Sequence, residues 1–139
     1  MTRLTWSQYA LNLARAASTR SEDPHRQVGA CLLRHDRSIA SVGYNGAPPG
    51  VEIDWTDRDA RRAQVIHAEA NALRFVKPGE AVLLASTMMP CSTCVLMASA
   101  YGVRKIVYLQ ELDPAVYDAE TIRALAAMCR IELVKEEPA

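Results

Sequence analysis

Residues 81–86 read as a short strand that is apolar on both faces. Such a strand belongs inside a sheet covered by helices on either side. The flanking sequence supplies those layers. A helix is expected over residues 6–18, with Thr5 and Gln8 at capping-box spacing and Leu4, Tyr9, Leu13 and Ala16 or Ala17 on its apolar face. Strands at 28–34 and 38–44, joined by His35-Asp36-Arg37, read as an antiparallel hairpin. A single helix is expected over 60–76, stopped by Lys77-Pro78-Gly79. Residues 91–101 read as a helix preceded by Pro90 and stopped by Gly102. A strand at 105–109, a helix at 118–128 and a strand at 131–135 complete the chain. The order α-β-β-α-β-α-β-α-β predicts an α/β fold, a five-stranded mixed sheet between two helical layers.

The 139 residues suit one domain spanning 1–139. Half of them are hydrophobic, which excludes a disordered chain. Sixteen basic residues balance sixteen acidic ones, so no positive excess exists to hold a long polyanion. No apolar run is long enough for a membrane span, and the opening residues lack the apolar core of a secretion signal. A cytoplasmic protein is expected, its four cysteines reduced or metal-bound. The irregular stretch 43–59 contains Gly43, Gly46, Pro48, Pro49 and Gly50, and a loop this long in a compact domain points to function.

Two short motifs carry the chemistry. The first is His67-Ala68-Glu69, and the second, Pro90-Cys91-Ser92-Thr93-Cys94, begins 21 residues after Glu69. One imidazole and two thiolates suit Zn²⁺, and three protein ligands leave a fourth position open, as catalytic sites do. Glu69 is not needed to complete the ligand set, and beside an activated water it can carry protons. A CxxC pair alone also serves in redox sites and structural zinc sites. Neither explains Glu69 or Pro90, whereas H-x-E followed by P-C-x-x-C is the signature of zinc nucleobase deaminases. Cys31 and Cys129 sit in apolar segments and read as core residues.

Over about residues 6–134, the sequence resembles the deoxycytidylate (dCMP) deaminase family of the cytidine deaminase superfamily. Four blocks carry the likeness: Ser21-Glu22-Asp23-Pro24 with Gln27-Val28-Gly29-Ala30, Gly43-Tyr44-Asn45-Gly46 with Pro48 and Gly50, His67 to Ala72, and Pro90 to Cys94. Val51, Met88, Met89 and Val95 depart from the family's usual residues at positions bordering the pocket.

The resemblance implies a three-layer α/β/α cytidine-deaminase-like fold and hydrolytic deamination of dCMP to dUMP and ammonia. It implies Zn²⁺ on His67, Cys91 and Cys94, with Glu69 moving protons to N3 of the cytosine ring and to the leaving amine. The backbone N–H of Ala68 is implied to meet the pyrimidine carbonyl and Asn45 the sugar. Arg26 and Ser21, flanking the first block, are candidates for the phosphate, and Tyr117 for closing over the nucleotide. Asn71 can support the site or the helix. Arg58, Arg61 and Arg62, mixed with Asp57 and Asp59, read as a solvated helix start, with an allosteric phosphate site or subunit contact as the alternative. The stripe Ile122, Leu125 and Met128 reads as core or interface. The family also implies a homo-oligomer, commonly a hexamer, and control by dCTP and dTTP. Another small cytosine compound or aminated heterocycle is the alternative substrate. A nucleic-acid editor is disfavoured by zero net charge and a single phenylalanine.

Overall fold

A computed structural model describes residues 2–139. The elements in chain order are α1 (Trp6–Ser18), β1 (Gly29–Arg34), β2 (Ile39–Tyr44), α2 (Arg58–Gln64), α3 (Ala68–Leu73), β3 (Ala81–Met88), α4 (Ser92–Ala100), β4 (Lys105–Gln110), α5 (Ala119–Met128) and β5 (Glu132–Lys135). The five strands form one sheet in the order β2-β1-β3-β4-β5. β1 runs antiparallel to both β2 and β3, while β3, β4 and β5 are mutually parallel. This is the expected mixed sheet.

Alternation along the strands explains the two helical layers. Ala30, Leu32, Leu84, Ile106 and Tyr108 point to one face and pack with Ala68, Ala72 and Leu73 of α3, Val95 and Ala98 of α4, and Ile122 and Ala126 of α5. Cys31, Leu33, Ala85 and Val107 point to the other face and meet Ala10, Leu11 and Ala14 of α1. Each large buried aliphatic side chain contributes about 1.5–3 kcal/mol. Among the described residues no helix is long and apolar enough to cross a membrane.

The start of α1 is fixed by its capping box. Thr5 Oγ1 accepts from the Gln8 N–H at 3.1 Å, and Gln8 Oε1 accepts from the Thr5 N–H at 3.0 Å. The helix buries a different face from the expected one. Ser7, Ala10, Leu11 and Ala14 turn inward, while Leu4 and Tyr9 are exposed and Leu13 lies at the margin. The reason is close packing. A Cβ on Gly29 would lie 1.8 Å from the Ala14 carbonyl oxygen, so α1 rests almost directly on β1. At the Gly29 and Ala14 contact only small residues fit; Leu11 still turns inward, and Trp6 and Tyr9 face outward. In the last helix, Ile122 is buried and Leu125 half-buried, whereas Met128 is 80% exposed.

The expected single helix over 60–76 is two helices. Val65 and Ile66 interrupt it. Ile66 pairs with Gly46 as an isolated antiparallel bridge, through Gly46 N–H to Ile66 O at 3.1 Å and Ile66 N–H to Gly46 O at 2.8 Å. The bridge pulls this segment into extended backbone, and the helix restarts at Ala68. His67 is therefore the N-cap of α3 and not a mid-helix residue.

Gly43 sets how closely α3 approaches β2. A Cβ there would lie 2.5 Å from the Ala72 nitrogen and 2.7 Å from the Ala68 carbonyl oxygen. Because backbone atoms must move, Gly43→Ala is expected to destabilise the protein by about 1–3 kcal/mol. Thermal unfolding should show a fall of several degrees in Tm. A Tm unchanged from wild type would contradict this packing.

Candidate active site

The site forms where α3 and α4 begin. His67 is the N-cap of α3 and Cys91 the N-cap of α4, and neither side chain caps its own helix. They turn towards each other instead. His67 Nδ1 lies 3.5 Å from Cys91 Sγ and 3.4 Å from Cys94 Sγ. All three ligand atoms fall within 4.8 Å of one another. With bonds of about 2.0–2.1 Å to nitrogen and 2.3 Å to sulfur, tetrahedral zinc sets an N···S edge of about 3.6 Å. The three side chains thus fit zinc without rearrangement, and His67 offers Nδ1 as its ligand atom. Cys94 is buried and Cys91 half-buried, while His67 remains accessible.

The electrostatics favour one thiolate. Cys91 is lowered to about 4, chiefly because its sulfur accepts the Cys94 thiol, with His67 adding to the effect. Cys94 is correspondingly raised, by that same hydrogen bond and by burial. The His67 imidazole is raised mainly by its contact with Cys91. The α4 N-terminus adds partial positive charge beside Cys91. Cys31 is pushed up to about 12 by burial under α1. In zinc-free protein near pH 7, iodoacetamide should therefore label Cys91 and spare Cys31, with zinc protecting Cys91. Peptide mapping with equal labelling of Cys91 and Cys31, or no protection by zinc, would contradict this assignment.

Glu69 lies one residue into α3 from Ala68 and is only 4% exposed. Its Oε1 accepts a hydrogen bond from Ser86 Oγ at 2.8 Å. Its negative charge contributes to the rise of the Cys94 thiol, which fits a carboxylate beside the metal ligands. His67, Cys91 and Glu69 line a cavity of about 580 Å³, with Cys94 buried behind them.

That cavity collects most of the expected contacts. Asn45, Ala68, Arg26 and Tyr117 all line it. Asn45 is also structural: its Oδ1 accepts from the Val28 N–H at 2.8 Å, and its Nδ2 donates to the Arg26 carbonyl at 2.9 Å. Ser21 lies outside the lining and donates to the Asn45 carbonyl at 2.8 Å. Asn71 also lies outside the lining, donating to the Tyr44 carbonyl at 2.8 Å, which ties α3 to the end of β2. Of the departures from the family pattern, Met88 and Met89 form cavity wall, Val95 is core, and Val51 is exposed.

The arginines of α2 stand closer to the site than their charged surroundings in sequence suggest. Arg58, Arg61 and Arg62 line the same cavity as Glu69 and His67. They are not simply a solvated helix start. The side chain of Asp57 caps α2, and Arg61 Nη1 donates to the Trp55 carbonyl at 3.1 Å. His25 Nε2 reaches the same carbonyl at 2.9 Å, so the loop before α2 is tied to the first block. Spacing offered one clue: positions 58, 61 and 62 share a helical face.

The chain is similar to several known proteins. Residues 4–110 match the cytidine and deoxycytidylate deaminase zinc-binding region. The deoxycytidylate deaminase of Mycobacterium phage D29 is 34% identical over 128 residues, which span 80% of this chain and 99% of that protein. A probable deoxycytidylate deaminase of Caenorhabditis elegans is 35% identical over 121 residues, spanning 81% of this chain but only 61% of that protein. The crystal structure of dCMP deaminase from the cyanophage S-TIM5 in its apo form has a TM-score of 0.74 and 26% identity, covering 97% of this chain and 100% of that one. With His67, Cys91 and Cys94 brought together as a possible metal site and the zinc-binding region matched over most of the sequence, the chain belongs to the deoxycytidylate deaminase family of zinc-dependent hydrolytic deaminases.

Proposed function

We propose that the chain, as one domain over residues 1–139, hydrolyses dCMP to dUMP and ammonia. The observation that carries this reading is a single cavity lined by the metal-ligand candidates His67 and Cys91, by Glu69, and by Arg26, Arg58, Arg61 and Arg62. A cytosine ring needs the first two, and a phosphate needs the last. The names of the phage D29 and S-TIM5 relatives agree.

His67, Cys91 and Cys94 would hold zinc, which would supply Lewis-acid chemistry and lower the pKa of a water towards neutrality. Glu69 carries a proton, first to N3 of the ring and then to the departing amine nitrogen. The Ala68 N–H at the start of α3 meets the pyrimidine carbonyl. Asn45, braced by Ser21, faces the sugar. Tyr117 closes the far wall, and Met88 and Met89 exclude water from the ring. The arginines grip the phosphate, which their planar donor forks suit.

Charge-assisted hydrogen bonds of this kind contribute about 1.5–3 kcal/mol each. The double variant Arg61→Gln, Arg62→Gln should therefore raise KM for dCMP at least tenfold and leave deoxycytidine turnover unchanged. Steady-state kinetics on the two substrates tests this. Equal losses on both, or none on dCMP, would overturn the phosphate assignment.

The reading includes a cytoplasmic homo-oligomer controlled by dCTP and dTTP. The four cysteines are free of disulfides, and Leu96 on α4 and Met128 on α5 are exposed, as suits a reducing compartment and a subunit contact.

A further inference from the structure

Among the described residues, Ser86 is fully buried, at 0% exposed, in the central strand β3. On the face it shares with Leu84 and Met88, Leu84 is core and Met88 is cavity wall, so Ser86 sits where the core gives way to the site. Its partners across the sheet are Ala30 on β1 and Tyr108 on β4. Ala30 offers no side-chain acceptor, and the Tyr108 hydroxyl already donates to Glu111 at 3.1 Å. The Ser86 hydroxyl donates to Glu69 Oε1 at 2.8 Å. A hydroxyl placed in an apolar core is unfavourable unless it is hydrogen-bonded, and here the side chain that satisfies it is the proton carrier.

We propose that Ser86 is a positioning residue for Glu69. Its hydroxyl pins Oε1 against the sheet, and this orients Oε2 towards the substrate ring. A glutamate side chain has three rotatable bonds, and α3 fixes only the first atom. Without the Ser86 bond the carboxylate samples other rotamers, and the proton it carries reaches N3 and the amine nitrogen less often. The proposal rests on the reading of Glu69 as the proton carrier, and it concerns no contact with the metal ligands.

The test uses the full zinc-loaded chain. Ser86→Ala should lower kcat on dCMP about 10- to 100-fold, the range expected when a reacting group is misplaced by about 1 Å. KM should stay within about twofold and bound zinc should not change. Ser86→Thr, which keeps the hydroxyl, should hold kcat within about threefold of wild type. In a Glu69→Ala background, Ser86→Ala should cause no further loss of turnover, because the two substitutions act on one unit. Its effect on Tm should also change sign. It lowers Tm when Glu69 is present and raises it when the hydroxyl would be left without a partner. Wild-type kcat in Ser86→Ala, a loss confined to KM or zinc content, or an additive loss in the Glu69→Ala background would overturn the proposal. A wild-type protein inactive on dCMP would instead sink the substrate reading. The Tm sign change would then decide whether Ser86 and Glu69 act as a pair.

Discussion

Glu69→Gln is expected to lose about 10²- to 10⁴-fold in kcat, the range for removal of a general acid-base group. It should keep its zinc and bind dCMP nearly as wild type does. The substitution preserves shape and leaves an oxygen that can still accept the Ser86 hydroxyl, which lies 2.8 Å from Glu69 Oε1. It removes only the capacity to hold a proton. Zinc analysis and stopped-flow kinetics on one preparation would separate these quantities. A variant that retained zinc and turned over dCMP at wild-type speed would remove the proton carrier from the account. A variant that lost zinc would make Glu69 a ligand.

Cys94→Ala is expected to abolish both zinc binding and turnover. Cys94 is the buried member of the triad, and its sulfur lies 3.4 Å from His67 Nδ1. Two remaining protein ligands do not make a stable catalytic zinc site. Zinc content should fall from about one per chain to near zero after dialysis, and added zinc should not restore activity. Tm should fall as well, since metal binding stabilises only the folded chain. Circular dichroism should still show folded protein, because the sheet is built on two apolar clusters independent of the ligands. A variant with full zinc occupancy would contradict the assignment.

Much of this was legible from residue order. The start of α1 follows from Thr5 and Gln8, and β3 follows from its run of apolar residues. The meeting of His67, Cys91 and Cys94 was legible because their residue types and spacing admit few other uses. What could not be read depended on contacts distant in sequence. Nothing in Val65-Ile66-His67 is a helix breaker, yet the bridge from Gly46 to Ile66 opens the helix there and turns His67 into a cap. The buried face of α1 was misjudged because residue size, not hydrophobicity, decides what fits against Gly29. The arginines of α2 looked like solvated charge, since α2 itself buries no residue. Only the fold shows that this helix flanks the cavity. Ser86 was invisible as a functional candidate, because a serine in an apolar strand carries no local mark of its partner on α3.

Ammonia release by the zinc-loaded protein from dCMP, dCTP, deoxycytidine, cytidine and cytosine, measured in parallel with a zinc-stripped control, tests the deaminase activity and its substrate most directly. The expected result is rapid release from dCMP, at least tenfold less from every other compound, and none without zinc. Release from an unphosphorylated compound with none from dCMP would contradict the nucleotide reading while leaving the zinc and Glu69 chemistry intact.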